Sequence, residues 1–212
     1  NFIMSKLETN TIDTVSGTST LQVGSTNTST ITLGVSGDTI NVPSGVTINN
    51  NGTQTGFGGN NTPAFSVYAS SSVDNISSGT ATLVPFNTEN YDTDSAFDNT
   101  SSNYKFTVPS GEAGKYFFQA SVLNSGANNN DLWLVRVQLR KNGSTVFKPE
   151  WRFAQGSSNG EEVHSFNAQV HGCLDLAVGD YIQIYSETYG KTGGFNISSG
   201  QSSVWFTGFK LI

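Results

Sequence analysis

The first part of the chain contains no aromatic residue between Phe2 and Phe57. Ordering the backbone costs about 1–2 kcal/mol per residue in conformational entropy. A segment with only short apolar side chains makes too few contacts per strand to offset this cost. This segment therefore cannot build a core alone. Its aliphatic residues recur in pairs separated by one residue, so that each pair faces one side of a very short strand: Leu21/Val23, Ile31/Leu33, Ile40/Val42 and Val46/Ile48.

These pairs favour a shaft built from several copies of the chain. Three chains around a common axis would bring three such faces together, whereas a flexible Ser/Thr/Gly linker is the alternative on composition. The steps between pairs are uneven, so the repeat is loose. We expect a thin β-rich shaft over residues 1–51 and a glycine-rich neck over residues 52–62.

Long alternating strands and most of the aromatic residues follow the neck. No window shows sustained helical periodicity, and about nine strand-like runs leave no room for crossover helices. We predict an all-β head over residues 63–212, folded as an antiparallel jelly-roll sandwich. Two runs show the alternation best, with these residues on one face of each strand: Tyr116, Phe118, Ala120 and Val122, then Trp133, Val135, Val137 and Leu139.

Charge and hydropathy exclude several classes of partner. Charged residues make up only 12% of the chain and its net charge is -6, which repels phosphate backbones, so nucleic acid is not expected to bind. No apolar stretch is long enough to insert in a membrane, and no basic segment followed by an apolar run opens the sequence. Cys173 is the only cysteine, so an intramolecular disulfide is excluded. We expect Cys173 to be buried in a strand.

Connection lengths indicate which end of the head carries function. Long and tight connections alternate, and in a run of antiparallel strands alternate connections lie at the same end. We call these two ends the long-loop pole and the tight-turn pole, and we expect Ile212 at the latter. The long connections are Asn124–Asn130, Ala154–Glu161 and Tyr189–Gly200, and the tight ones are Lys141–Ser144 and Ala177–Asp180.

The long-loop pole is the predicted recognition surface, because binding residues tend to lie on loops held by a rigid scaffold. A glycan would need stacking surfaces beside amides and charged groups. For any single residue the alternative is structural: the asparagines end strands, and Trp151 packs in the core. The candidate ligand-binding residues are Asn128, Asn130, Asp131, Arg152, Asn159, Tyr189 and Asn196.

No catalytic residue, metal site or cofactor is predicted. His164 and His171 lie seven positions apart on one predicted strand, an odd separation that directs them to opposite faces. Asp92, Asp94 and Asp98 form the densest acidic cluster but lack the glycine and glutamate of an EF-hand loop. Asp92 is expected to cap a turn, and calcium binding is the weaker alternative.

The motifs of residues 63–212 resemble the C1q globular head, a C1q/tumour-necrosis-factor-like domain. They are F-x5-D (Phe86–Asp92), G-x-Y-x-F (Gly114–Phe118), LxxGD (Leu176–Asp180) and F-x-G-F (Phe206–Phe209). Seven residues separate Phe106 from Gly114 where the family has five, an insertion expected only to lengthen a turn. The resemblance implies a homotrimer but little about the ligand, because ligands vary within such folds.

The shaft is similar in composition to the stalks of structural and fibre proteins of tailed bacteriophages. Together the two resemblances imply a virion protein, assembled in the host cytoplasm, whose trimeric head binds a host-surface glycan or protein. Its other partners would be copies of itself and, through the shaft, further virion proteins.

A decoration protein of the capsid or tail with a purely structural role is the alternative. A depolymerase is disfavoured because the shaft offers few carboxylates, and an ice-binding shaft because its repeat is irregular.

Overall fold

The computed structural model describes residues 23–24, 26–51, 61–126, 132–153, 163–190 and 194–211. The chain divides into two compact units, residues 1–54 and 55–212. The described residues contain strands and turns but no helix, and therefore none long and apolar enough to cross a membrane.

All the strands of the described residues lie in the second unit. They are β1 (Ala64–Tyr68), β2 (Val73–Ile76), β3 (Thr82–Leu83), β4 (Thr88–Asp92), β5 (Phe97–Asp98), β6 (Lys105–Thr107), β7 (Gly114–Gly126), β8 (Leu132–Lys141), β9 (Ser144–Phe147), β10 (Glu150–Arg152), β11 (Ser165–Leu176), β12 (Tyr181–Gly190), β13 (Phe195–Ile197) and β14 (Trp205–Lys210).

In the first unit, the described residues of the predicted shaft form tight turns but no strand within the single chain. The amide of Asp38 donates to the carbonyl of Val35 over 3.0 Å, and that of Val46 to Pro43 over 3.2 Å. Leu21 and residues 52–60 of the predicted neck lie outside the described residues. Where the structure describes them, the predicted short strands have no pairing partner within one chain. Their apolar side chains are between 41% and 77% exposed: Val23, Ile31, Leu33, Val35, Ile40, Val42, Val46 and Ile48.

The second unit folds into two antiparallel sheets. In the first sheet β7 pairs with β11, β13 and β14, and the sheet continues through β1 to β4 and through β13 to β2. In the second sheet β8 pairs with β9, β10 and β12, and β12 pairs with β3 and β6. The chain crosses between the sheets after β2, β3, β4, β6, β7, β10, β11 and β12, which is the course of a jelly roll. The predicted all-β antiparallel jelly-roll sandwich is confirmed.

The core between the sheets is dominated by aromatic side chains. The ring of Phe65 lies 5.1 Å from that of Phe106 and 4.9 Å from that of Phe206 between centroids. As predicted, alternate residues of β7 point inward, including Phe118. β9 and β10 are separated at Pro149. Proline has no amide to donate to a ladder, so it interrupts the strand.

Trp133 departs from the predicted alternation of β8. Leu134 pairs with Tyr189 and Leu132 with Gly190, so a register shift leaves Trp133 opposite the irregularity. Leu132 and Leu134 are buried, whereas Trp133 is only half-buried. Such bulges re-aim a side chain, which explains why strict alternation failed here.

Two connections predicted to be long are partly strand. β7 continues to Gly126, and Asn124 is fully buried, where its Oδ1 accepts hydrogen bonds from Ser186 at 2.6 Å and Thr188 at 3.2 Å. These bonds satisfy a polar group that would otherwise be costly to bury. In the third connection, β12 extends to Gly190 and β13 adds to the first sheet.

The stems of the long connections nevertheless converge at one pole. At the end of β7, Ser125 pairs with Ser165 of β11. At the start of β8, Leu132 pairs with Gly190 of β12, and its amide donates to the carbonyl of Val163 over 2.8 Å. The alternation of connection lengths therefore placed these stems correctly.

Both ends of the head lie at the tight-turn pole. Ala64, the first residue of β1, pairs with Phe209 near the end of β14. The amide of Leu211 donates to the carbonyl of Lys115, at the start of β7, over 2.8 Å. The long-loop pole is thus the end of the head away from the point where the chain enters it.

Asp180 joins the two tight turns. Its carboxylate accepts hydrogen bonds from Nζ of Lys141 at 2.7 Å, Nδ2 of Asn142 at 2.7 Å and the amide of Ala177 at 2.8 Å. These bonds, with that from Lys141 the largest influence, lower the pKa of Asp180 to about 2. Because the folded-state pKa lies below the unfolded value of about 3.9, the carboxylate stabilises the fold above that value and loses its effect as the pH falls through the folded pKa.

We expect Asp180→Asn to lower the free energy of unfolding by about 1–3 kcal/mol at neutral pH, because hydrogen bonds to a charged group are lost. Urea titrations at fixed protein concentration should show the difference from wild type shrinking as the pH falls below about 4. Asp175→Asn is the control, since Asp175 is exposed and contacts Lys141 only through its carbonyl. An equal loss in both variants, or one independent of pH, would contradict the assignment.

Candidate ligand-binding site at the long-loop pole

Four of the seven predicted ligand-binding residues, Asn128, Asn130, Asp131 and Asn159, lie outside the described residues. The other three are Arg152 at the end of β10, Tyr189 in β12 and Asn196 in β13. β10 and β12 are both neighbours of β8 in the second sheet, whereas β13 belongs to the first sheet. Arg152 and Tyr189 line one cavity, and Asn196 does not contribute to it.

Tyr189 is engaged by the protein itself. Its hydroxyl donates to Oε1 of Glu187 over 2.6 Å, and this bond raises the pKa of Tyr189. The guanidinium carbon of Arg136 lies 5.4 Å from the ring centroid, and a Cβ placed on Gly79 would come within 2.9 Å of the ring. Gly79 has a φ of 75°, so both its conformation and its contact with the ring require glycine. Tyr189 therefore lines the cavity, but its ring is already contacted by the protein and is not fully available to stack on a ligand.

Asn196 has a structural partner. Its Oδ1 accepts a hydrogen bond from the amide of Asn75 over 3.0 Å. This bond joins β2 to β13, whose pairing is irregular at that point. The contact fits the structural alternative for this residue, because its acceptor oxygen is already used within the fold.

Arg152 presents a charged group to solvent. Its side chain is 70% exposed, and its Nε donates to Oε1 of Glu150 over 2.9 Å. The second oxygen of Glu150 accepts from Nε of Arg136 over 3.0 Å. Hydrogen bonds from Arg136 and then Arg152 hold the pKa of Glu150 below its usual value. Both oxygens of Glu150 are thus used to orient two guanidinium groups.

The cavity beside these groups has a volume of about 440 Å³. Arg136, Leu134 and Trp133 come from the first half of β8, and Phe153 follows β10 immediately. None of these four residues is among the predicted ligand-binding residues. The alternating pattern of β8 assigned Trp133 to the core face. The positions of Trp133 and Phe153 beside two long connections could have indicated a binding site. The described residues that line the cavity are Trp133, Leu134, Arg136, Arg152, Phe153 and Tyr189.

Trp151 packs in the structural manner considered from the sequence. It lies against the core, and its ring centroid is 5.5 Å from that of Phe166. Phe166 also contacts the ring of Phe153, at 5.0 Å. Phe153 is therefore held from behind by the core while it lines the cavity, which makes that wall of the cavity rigid.

The acidic cluster stabilises a turn. Oδ2 of Asp92 accepts from the amide of Phe97 over 2.7 Å, and its Oδ1 from that of Asp94 over 3.3 Å. The prediction that Asp92 caps a turn is confirmed. Hydrogen bonds from Thr100 lower the pKa of Asp98. Among the described residues no group of three or more His, Cys, Asp or Glu side chains could hold a metal ion.

The expectations for the histidines and the cysteine need correction. β11 begins at Ser165, so His164 precedes the strand that carries His171, and the two do not share one strand. Cys173 is exposed, not buried. It lies on the face of β11 that alternates with the inward residues Val170 and Leu176. The apolar residues next to Cys173 in the sequence do not indicate which face of β11 packs against the core.

Comparison with known proteins gives similarity only at the level of solved structures. No family model and no curated protein matches the chain. The globular domain of the zebrafish Complement 1qA protein is similar at 20% identity and a TM-score of 0.43, covering 71% of this chain and 98% of that one. Eiger TNF from S. frugiperda is similar at 12% identity and a TM-score of 0.47, covering 70% and 92%.

Murine APRIL is a third similar structure, at 13% identity and a TM-score of 0.46, covering 70% of this chain and 99% of that one. The head thus has C1q and TNF-type domains among its structural neighbours. The strand pairing described above, and not these scores, carries the assignment of the fold. Fold similarity of this kind does not identify a ligand.

Proposed function

We propose that the chain is a virion structural and attachment protein whose trimeric head binds a glycan or protein on the host surface. The observation that carries the proposal is the placement of the cavity. It lies where the stems of the long connections converge, and both ends of the head are at the opposite pole. A head attached at one pole leaves the other free to meet a ligand. The role proposed is binding, without catalysis or a cofactor.

Self-association is supported by two sets of apolar side chains. The described shaft residues expose their aliphatic side chains, which one chain alone leaves in water. On the head, Phe117 and Phe209 pack together at 5.6 Å between ring centroids but belong to no part of the core cluster. Burying such surfaces between copies is favourable by about 25 cal/mol per Å². A homotrimer, implied by the resemblance to C1q heads, would use both sets.

The virion role rests on the composition of the shaft, which is similar to that of bacteriophage stalks. The shaft would join the head to other virion proteins, and the particle would be assembled in the host cytoplasm. A protein that only decorates the capsid or tail remains the competing function, because the same shaft and head would serve it equally well.

Shortening the connections at residues 127–131, 154–162 and 191–193 should abolish adsorption of particles to their host while leaving particle stability unchanged. The expected loss is large because threefold repetition of weak sites contributes about 10²–10⁴ in avidity. The matched control changes Lys115 and Val178, exposed residues at the tight-turn pole, to alanine. Normal adsorption of the shortened variant together with loss of particle stability would favour the decoration role.

A further inference from the structure

Among the described residues, the guanidinium of Arg152 at the cavity bonds to Glu150 through Nε. Its terminal nitrogens donate to no described residue. A guanidinium bound through Nε keeps a second edge, with two nearly parallel N–H groups, for a planar acceptor. Because Glu150 also binds Arg136, the orientation of this edge is set by a network and not by one contact.

The charge of the cavity limits how much negative charge a ligand can bring. Arg136 and Arg152 are balanced by Glu150 and Glu187, which lie within 3.5 Å of them. Glu187 also accepts hydrogen bonds from Gln138 at 2.8 Å and from Tyr189. A dianionic phosphate would meet two carboxylates and, within the described part of the chain, one guanidinium edge of Arg152 that has no described partner. A monoanionic carboxylate matches that edge without requiring a second free cation.

The walls favour a ligand with an apolar face as well as a charge. Trp133 and Phe153 are half-buried, and Leu134 is almost fully buried. The volume of about 440 Å³ lies within the range of about 300–1,000 Å³ that is usual for small-molecule sites. Aromatic walls beside a fixed polar group suit a sugar ring, which has both an apolar face and hydroxyl groups.

We infer that this cavity is a subsite for a saccharide unit that carries a carboxylate. The inference rests on the proposed attachment function and names its ligand class. Arg152 binds the carboxylate through the edge that bonds to no described residue, and Trp133 and Phe153 contact the ring of the sugar. Arg136 and Tyr189 hold the arrangement through Glu150 and Glu187 and act as positioning residues.

The test uses the full chain and two matched probes. One is an immobilised oligosaccharide that contains glucuronic acid, and the other is the same oligosaccharide after reduction of its carboxylates to the neutral sugar. Wild type should bind the acidic probe at least about tenfold more tightly than the reduced one, since a charge-assisted pair contributes more than a neutral hydrogen bond. Raising the salt concentration should weaken binding of the acidic probe selectively.

Variants then locate the contact. Arg152→Ala should reduce binding of the acidic probe by about 10- to 100-fold and leave binding of the reduced probe nearly unchanged. Arg152→Lys should restore part of the loss, because it keeps the charge without the fork. Lys115→Ala removes an exposed cation at the tight-turn pole and should have no effect. Mass by light scattering and circular dichroism should match wild type in all three.

Equal binding of the two probes, no binding of either, or equal losses in Arg152→Ala and Lys115→Ala would overturn the subsite. Host adsorption separates this outcome from failure of the attachment function. If only the subsite is wrong, Arg152→Ala particles adsorb normally, while particles with shortened loops do not adsorb. If attachment itself is wrong, the shortened-loop particles adsorb as well as wild type.

Discussion

Light scattering of the intact chain should give about three times the 22.6 kDa of one chain, and Phe117→Glu should reduce it to the monomer. Phe117 alternates with the inward residues Tyr116 and Phe118 of β7, so it projects from the outer face of the first sheet. Its ring contacts that of Phe209 at 5.6 Å. A carboxylate buried there in a trimer loses its hydration and costs several kcal/mol, and threefold symmetry repeats the cost in each protomer.

Two other aromatic residues extend this surface. Trp205 of β14 pairs directly with Tyr68 of β1, and both are half-buried on the face that alternates with the core residues Val67 and Phe206. The pair Thr207 and Gln119 lies between these residues and Phe117 with Phe209 on the same sheet face. The face therefore carries two aromatic pairs that another copy of the chain could cover.

Val178→Glu is the matched control for this experiment, because it places the same carboxylate at an exposed apolar position in a tight turn. It should keep both the mass and the melting temperature of wild type. Circular dichroism should show that Phe117→Glu keeps its β structure. A wild-type chain that stays monomeric at micromolar concentration, or a folded Phe117→Glu variant that keeps the trimeric mass, would contradict the prediction.

The general course of the head could be predicted from the sequence because two local rules determine it. Alternation with a period of two identified the inward face of β7, and the succession of long and tight connections assigned their stems to opposite poles. Both rules depend only on neighbouring residues and on antiparallel order. Together with the many closely spaced strands, which leave no room for crossover helices, these rules predict a jelly roll.

The site was less predictable because its contacts join distant parts of the chain. Asn196 meets Asn75 across 121 positions, and Tyr189 packs on Gly79, so neither partner is visible locally. The direction of the Trp133 side chain depends on a register shift between two strands. The exposure of Cys173 depends on which face of β11 turns outward. Such features are set by tertiary pairing, which overrides the local pattern.

Deleting residues 1–60 should leave a folded head, whereas residues 1–60 alone should be disordered or only weakly associated. The core cluster begins at Phe65 and ends at Phe206, so its apolar contacts survive the deletion intact. The isolated shaft has no aromatic residue between Phe2 and Phe57 to replace them. Calorimetry should show a cooperative transition for the head. A cooperative melt of the isolated shaft as a monomer would contradict this division.

In the intact chain, changing Ile31, Leu33, Ile40 and Val42 to serine should make the shaft far more sensitive to proteases without altering the head. These side chains are between 41% and 65% exposed in the single chain, so the substitutions remove little packing within it. They do remove the apolar faces that copies would bury, at about 0.8 kcal/mol per lost methylene. The matched control changes Thr32 and Asn41, the middle residues of the same two pairs, to serine and keeps the apolar faces. If copies of the chain bury the pairs, limited proteolysis should cleave the first variant many times faster than the control, whereas equal cleavage of the two would leave a flexible linker as the better description of this segment.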